Sequence, residues 1–327
     1  VQTLTQIKEL LAARGLSPRK ALGQNFLIER ALIERLCDAS GIPRLAGAPA
    51  PNHTPRVVLE VGPGTGTLTE ELLARGSHVV ACELDAGLAA LLRERHADNP
   101  RFTLVEGDCL ATGRRLNADV ISTIDAATAR AGVGPDASFA LVANLPYQAA
   151  TPLMLNLLIE HPRCEVMGVT IQREVGQRLA AHPHTKDYGL LGIVAQAMAH
   201  IEQIATLGPA CFWPRPEVTS VMMLLRRRAT PLTNDPAGLA KFGQGLFSKR
   251  RKQLGSVLGR AVDWPEGVDA TMRPEALSVA QFVALHETCA RDLAPAAPDA
   301  TSAADIHRDD QGDDDDASDE ADARSGR

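Results

Sequence analysis

The stretch Val57-Val58-Leu59-Glu60-Val61-Gly62-Pro63-Gly64-Thr65-Gly66-Thr67-Leu68-Thr69 decides the fold. Its first five residues form an apolar, β-branched run that reads as a buried strand stopping at glycine. Glycines at 62, 64 and 66 let the backbone turn sharply and approach a ligand at the strand's carboxyl edge. The next segment, TLTEELLARG (67–76), has helical spacing; Thr67 and Glu70 match a capping box and Gly76 a stop. Strand, glycine loop and helix in this order begin a doubly wound α/β sheet. A dinucleotide fingerprint carries its third glycine where Thr67 stands, to pack the helix beneath a pyrophosphate. The departure favours a nucleoside ligand without a pyrophosphate and disfavours a nicotinamide-dependent oxidoreductase.

Outward from this stretch the alternation continues. HVVACEL (78–84), FTLVE (102–106) and FALVA (139–143) read as three further strands, with a helix over 86–96 between the first two. TPLMLNLLIEH reads as a helix with Thr151 as N-cap and Pro152 in the first turn. Near-continuous apolar strands alternating with helices imply a mainly parallel sheet covered on both faces. Residues 111–138, rich in Ala, Gly, Thr and Asp, read as an insertion, and 43–55, with four prolines, as another. Two helical patterns precede the first strand, over 5–14 and on to about Ser40. Beyond residue 230 strand signals give way to helical patterns at 237–260 and 276–291, so a small α-helical domain is expected. The expected division is 1–42, 43–55, 56–230, 231–294 and a disordered acidic tail over 295–327.

The whole-chain net charge of -6 hides two regions of opposite character. From Pro295 onward there are 11 acidic and 3 basic residues; residues 1–294 hold 31 Lys/Arg against 29 Asp/Glu. Between Pro236 and Val262 lie Lys241, Lys249, Arg250, Arg251, Lys252 and Arg260, with no acid, a pattern suited to a polyanion. The bland alternative for Lys249–Lys252 is a solvated helix face; the tail reads as a passive solubilising segment in preference to an RNA mimic that competes for the basic domain. No apolar run reaches membrane-span length, and the first residues resemble neither a signal nor a transit segment. Six scattered cysteines without a CxxC pair argue against a disulfide framework or a structural metal, and fit a reduced cytoplasm.

Three strand ends carry chemistry. Glu83, about 20 residues beyond the glycines, is placed to accept from both hydroxyls of a ribose. Asp108, after the third strand, is placed to accept from an adenine amino group. Either alone is an ordinary strand-end carboxylate; three features at successive strand ends favour ligand binding. After the fourth strand stands Asn144-Leu145-Pro146-Tyr147. An adenine amino nitrogen is a poor nucleophile because its lone pair is delocalised into the ring. The Asn144 side-chain oxygen and the Leu145 carbonyl would accept both amine hydrogens and aim the lone pair at a sulfonium-borne methyl group. Pro146 would hold that carbonyl, and Tyr147 would stack on the flipped base. A plain turn after a strand is the competing reading.

The chain resembles the ribosomal RNA adenine dimethyltransferases of the bacterial KsgA/RsmA type. The resemblance runs from LGQNFL (22–27) through VLEVGPGTGTLT, ACELD, EGD and VANLPY. It continues through IQREVGQRL (171–179), KDYGLLGIVAQ (186–196), FWPRPEVTSV (212–221), LFSKRRKQL (246–254) and LSVAQF (277–282). It implies a Rossmann-like class I methyltransferase domain with a small C-terminal α-helical domain, S-adenosyl-L-methionine as cofactor and no metal. The implied substrate is two adjacent adenosines in the 3′-terminal hairpin loop of 16S rRNA, dimethylated by a monomeric enzyme during small-subunit biogenesis. It further implies cofactor roles for Asn25, Leu27, Gly62, Gly64, Glu83, Asp108 and Asn144. Phe212 would be a second stacking partner for the base, and Lys249, Arg250, Arg251 and Lys252 RNA contacts.

Glu217 and Thr219 stand where that family usually has a basic residue and an aspartate, and Gln148 replaces a frequent asparagine. Two alternatives remain open at this level. One is an erythromycin-resistance-type enzyme acting on 23S rRNA; the other is a small-subunit assembly factor that no longer methylates.

Overall fold

The computed structural model describes residues 1–42, 44, 56–111, 115–259 and 262–292. Nearly all of the proline-rich segment, Arg260 and the acidic tail lie outside these residues. The chain opens with α1 (Leu4–Ala12), the short strand β1 (Phe26–Leu27) and α2 (Arg30–Ala39). An alternating body follows: β2 (Val57–Val61), α3 (Thr67–Ala74), β3 (His78–Glu83), α4 (Ala86–Arg95) and β4 (Phe102–Glu106). It continues with α5 (Ala118–Arg130), β5 (Phe139–Asn144), α6 (Tyr147–Glu160), β6 (Cys164–Gln172), α7 (Arg173–Leu179) and α8 (Leu190–Met198). Next come β7 (Ala199–Leu207), β8 (Phe212–Trp213) and β9 (Ser220–Arg227), and finally α9 (Pro236–Phe247), α10 (Leu254–Leu258) and α11 (Val279–Asp292). None of the described helices is long and apolar enough to cross a membrane.

Seven strands form one sheet in the order β4-β3-β2-β5-β6-β9-β7. The strands from β4 to β6 run parallel, and β9 is antiparallel to both β6 and β7. The chain moves from β2 to β3 and β4 on one side, then returns to β5 on the other. The reversal leaves a crevice beyond the carboxyl ends of β2 and β5, the place where open α/β sheets bind ligands. Alternation along β2 and β5 explains their continuous apolar character. Val57, Leu59, Leu141 and Ala143 pack with α5, α6 and α8, whereas Val58, Ala140 and Val142 pack with α2 and α3. All four strands expected from sequence are present. The three at the other edge were harder to read: β7 exposes alternate residues, and β6 is interrupted by exposed Glu165.

Three local readings change. The supposed insertion at 111–138 carries α5, N-capped by Asn117, whose side chain accepts from the Asp119 N–H. Val120, Ile124 and Ala127 recur at helical spacing and are buried on the sheet, so α5 is the crossover between β4 and β5. Helix α3 begins without a side-chain cap: Gly66, in the left-handed region, precedes it, and Glu70 instead accepts from Gln2. Helix α6 begins at Tyr147 rather than after Thr151, which leaves Pro152 inside it. Proline there forgoes one i→i−4 bond, to the carbonyl of Gln148, a residue on the crevice wall.

The helical C-terminal part shares its core with residues of the body. Leu239, Leu246 and Phe282 pack with Tyr188, Ile193 and Ala197 of the body, and the Tyr188 hydroxyl donates to the Leu277 carbonyl at 2.7 Å. Helix α11 lies antiparallel to α9. Phe282 meets Phe247 near the end of α9, while His286, one turn later, meets Phe242.

Candidate active site

The crevice encloses about 550 Å³ and is walled by the carboxyl ends of β2, β3 and β5, the Gly107–Ala111 segment after β4 and residues 20–26 of the N-terminal arm. That volume lies within the range of small-molecule and cofactor pockets. Gly62 and Gly64 both have positive φ, at 70° and 61°. A Cβ on Gly62 would lie 2.9 Å from the Pro146 ring, and one on Gly64 2.7 Å from the Phe26 ring. These two glycines therefore seat both Asn144-Leu145-Pro146-Tyr147 and the arm against the loop.

Glu83 ends β3 beside this loop. Its carboxylate accepts from the Gly64 N–H at 3.0 Å and the Asp85 N–H at 2.9 Å. Burial raises its pKa above the ordinary carboxylate range, while those backbone donors hold it down. Asp108 is exposed; its Oδ1 accepts from the Leu110 N–H at 2.9 Å, which fixes the side chain in a local turn. Beneath the loop Glu60 is fully enclosed and accepts from the Thr69 hydroxyl at 2.7 Å. Burial pushes its pKa up to about 8.

Asn144 is the last residue of β5. Its Nδ2 donates to the Asn25 carbonyl at 2.8 Å, and among the described residues no donor reaches its Oδ1. The Leu145 N–H donates to the Thr170 carbonyl at 3.1 Å, which fixes the peptide that follows Asn144. Pro146 is extended (φ -56°, ψ 128°) and leads into α6. The Tyr147 hydroxyl lies 3.0 Å from that of Ser220, a fully buried residue at the start of β9. Cys82 and Cys109 also line the crevice, and burial pushes the Cys82 thiol up to about 12 and that of Cys109 upward as well. Neither sulfur is a thiolate nucleophile near neutral pH.

Two expected site residues sit elsewhere. Strands β1 and β8 pair antiparallel, with Leu27 opposite Phe212 and Phe26 opposite Trp213. Leu27 and Phe212, 6% and 2% exposed, belong to the core cluster of α2 and α3. Phe26 lines the crevice instead, its ring 6.2 Å from that of Trp213. Leu27 borders a small neighbouring cavity shared with Glu60, Thr65 and Asn144. Phe212, expected to stack on the base, lines neither space: the alternation of β8 turns its side chain into the core.

Sequence reasoning passed over Leu84 and Ser220. Leu84 lines the crevice yet is 54% exposed, an apolar side chain left uncovered beside the carboxylate of Glu83. A bulky apolar residue directly after a strand-end acid was the available signal. Ser220 offered none, since its tie to Tyr147 joins residues 73 apart in sequence.

The basic run forms a turn between α9 and α10 rather than a helix face. Lys249, Arg251 and Lys252 are exposed, and no ion pair involves them among the described residues. Arg250 differs: its Nε donates to Glu275 at 2.7 Å, and its Nη atoms donate to the carbonyls of Lys186 and Thr185. The Arg250 guanidinium thus ties the turn to the body.

A family model for the ribosomal RNA adenine dimethylases matches residues 15–291. A ribosomal RNA small subunit methyltransferase A from Magnetococcus marinus is 37% identical, over 89% of this chain and 98% of that protein. Its namesake from Clostridium perfringens is 34% identical, over 86% and 93%. A crystal structure of a dimethyladenosine transferase from Plasmodium falciparum aligns with TM-score 0.61 at 21% identity, covering 80% of this chain and 95% of that one. The 23S rRNA methyltransferase ErmE aligns with TM-score 0.54 at 24% identity, covering 81% and 100%. These two structures are similar in fold, a Rossmann-like methyltransferase sheet. The family model spans the glycine loop, the crevice acids, Asn144–Tyr147 and the helical part alike, and the chain belongs to the ribosomal RNA adenine dimethylase family.

Proposed function

We infer that this chain is an S-adenosylmethionine-dependent enzyme that dimethylates the amino groups of two adjacent adenosines in the 3′-terminal hairpin loop of 16S rRNA. The single observation that carries the chemistry is the state of the Asn144 amide. Its nitrogen is committed to the Asn25 carbonyl, so its oxygen remains an acceptor at the rim of a nucleoside-sized crevice.

The crevice fits the cofactor. Glu83 retains lone pairs for ribose hydroxyls after accepting its two backbone N–H groups, and Leu84 offers an apolar surface to a purine face. Asp108 keeps Oδ2 for an exocyclic amine. Asn25 and the paired glycines hold the arm and loop against the crevice. When bound, S-adenosylmethionine supplies a methyl group made electrophilic by a positively charged sulfur.

The remaining work is positioning. Asn144 Oδ1 and the Leu145 carbonyl accept the two amine hydrogens of the target base, draw the nitrogen out of conjugation and aim its lone pair. Tyr147, steadied by Ser220, stacks on the extruded ring and offsets part of the few kcal/mol needed to unstack it. The amine proton leaves to solvent after the new C–N bond forms, so no strong base is required. Protonated Cys82 and Cys109 offer no covalent route through sulfur. Lys249, Arg251 and Lys252 contact RNA phosphates, while Arg250 holds their turn in place.

Incubating undimethylated small subunits, and large subunits separately, with methyl-labelled cofactor tests the reading. Dimethyladenosine at adjacent positions of small-subunit RNA is the expected product. Label confined to large subunits would overturn the substrate assignment, and cofactor binding without any methyl transfer would favour an assembly factor.

A further inference from the structure

The basic turn after α9 has three exposed cations that nothing in the described body neutralises, and the same chain carries a matching anion. Between Arg308 and Arg324 the sequence holds nine acidic residues and no basic one, including the run Asp313-Asp314-Asp315-Asp316. We propose that this acidic segment is the turn's intramolecular partner, docking on Lys249, Arg251 and Lys252 and competing there with RNA. The RNA half of the proposal rests on the phosphate-binding role given to the turn above; the docking half does not.

Geometry permits the contact. Helix α11 runs antiparallel to α9, with Phe282 against Phe247 and His286 against Phe242. The chain therefore leaves α11 near the start of α9, where His286 Nε2 lies 3.9 Å from Asp235, and the basic turn lies at the opposite end. Helix α9 has 12 residues, a length of about 18 Å. A random coil of the same number of residues as 293–327 spans about 30 Å root-mean-square, more than the length of α9. Exposed Lys241 stands partway along that route.

Among the described residues the turn gathers three exposed cations without an ion pair within four positions. Arg75 and Arg163 are already paired with Asp or Glu, and Arg250 with Glu275. Lys249, Arg251 and Lys252 have no such partner among the described residues. A tethered polyanion works at an effective concentration on the order of millimolar. Even a weak interaction of that kind taxes the binding of a competing phosphate backbone, most strongly at low salt, where both interactions are electrostatic.

The test uses a fluorescently labelled peptide of residues 305–322 and three full-length chains. One is unaltered, one has the nine acids changed to their amides, and one adds Lys249→Gln, Arg251→Gln and Lys252→Gln to those amides. By fluorescence anisotropy at low salt, the peptide should bind the amide chain at least about threefold more tightly than the unaltered chain, whose own segment competes. It should lose that binding when the turn is neutralised. Equal binding to all three chains, or binding unaffected by the turn substitutions, overturns the docking. The amide chain should also bind small-subunit RNA about 3- to 10-fold more tightly at low salt, with the gain vanishing at high salt. Peptide binding to the turn with unchanged RNA affinity would leave the docking standing and overturn the turn's role in binding RNA.

Discussion

In the crevice Asn144, Glu83 and Tyr147 are each tied to another element, at 2.8 Å, 3.0 Å and 3.0 Å. In the turn after α9, Lys249, Arg251 and Lys252 extend into solvent with no such tie among the described residues. The two regions solve different problems. Methyl transfer depends on atoms held in line, so its groups are at least half-buried, hydrogen-bonded and little affected by salt. Phosphate binding depends on charge within reach, so mobile exposed side chains suffice and salt weakens them. Substitutions in the first region should abolish a step; those in the second should scale an affinity.

The largest departure from that contrast would come from Glu83. Glu83→Ala removes the proposed ribose acceptors and leaves the Gly64 and Asp85 N–H groups without their carboxylate. Cofactor affinity measured by calorimetry should fall about 10- to 100-fold, given ~1.5–3 kcal/mol for hydrogen bonds to a charged group. An unchanged affinity would remove Glu83 from the ribose site.

Glu60 tests how costly burial beneath the glycine loop is. Its folded pKa of about 8 stands above the ordinary 4.5, because burial disfavours the ionised form. Between those values the folded chain keeps a proton that the unfolded chain has lost, so this group's stabilising contribution is full below 4.5 and declines as pH rises toward 8. The raised pKa of Glu83 acts in the same direction. Denaturant unfolding from about pH 4.5 to about pH 8 should show a decline attributable to Glu60 on the order of a few kcal/mol, flattened in Glu60→Gln. The same slope in the variant would contradict the assignment.

Smaller effects should separate residues within the basic turn. Replacing Lys249, Arg251 and Lys252 with Gln should reduce the slope of log affinity against log salt by about 0.7–0.9 for each phosphate no longer neutralised, with the melting temperature unchanged. Arg250→Ala should do the reverse, costing roughly 1 kcal/mol of stability by removing the ties to Glu275 and the Lys186 and Thr185 carbonyls. Equal salt slopes for the two variants would erase the distinction between them.

Much of the crevice was legible because its signals are local: a strand running into glycines, acids at strand ends, and Asn144–Tyr147 before a helix. What escaped the sequence depends on distant pairing. Phe212 and Leu27 were expected in the site, yet the pairing of β1 with β8 places both side chains in the core. Arg250 read as one cation among four until Glu275, 25 residues on, appeared beside it. Helix α5 escaped for another reason: Ala, Thr and Asp dilute its apolar spacing, although Asn117 and Val120, Ile124 and Ala127 mark it.

The central claim is that Asn144 holds the target amine rather than merely closing the pocket. Single-turnover methyl transfer to small subunits, measured beside cofactor affinity for the unaltered chain and Asn144→Ala, tests it most directly. The predicted result is a loss of at least about 100-fold in the transfer rate, of the size seen when one transition-state hydrogen-bonding group is removed, with cofactor affinity reduced less than about tenfold. Equal losses in rate and affinity, or a transfer rate left intact, would contradict it.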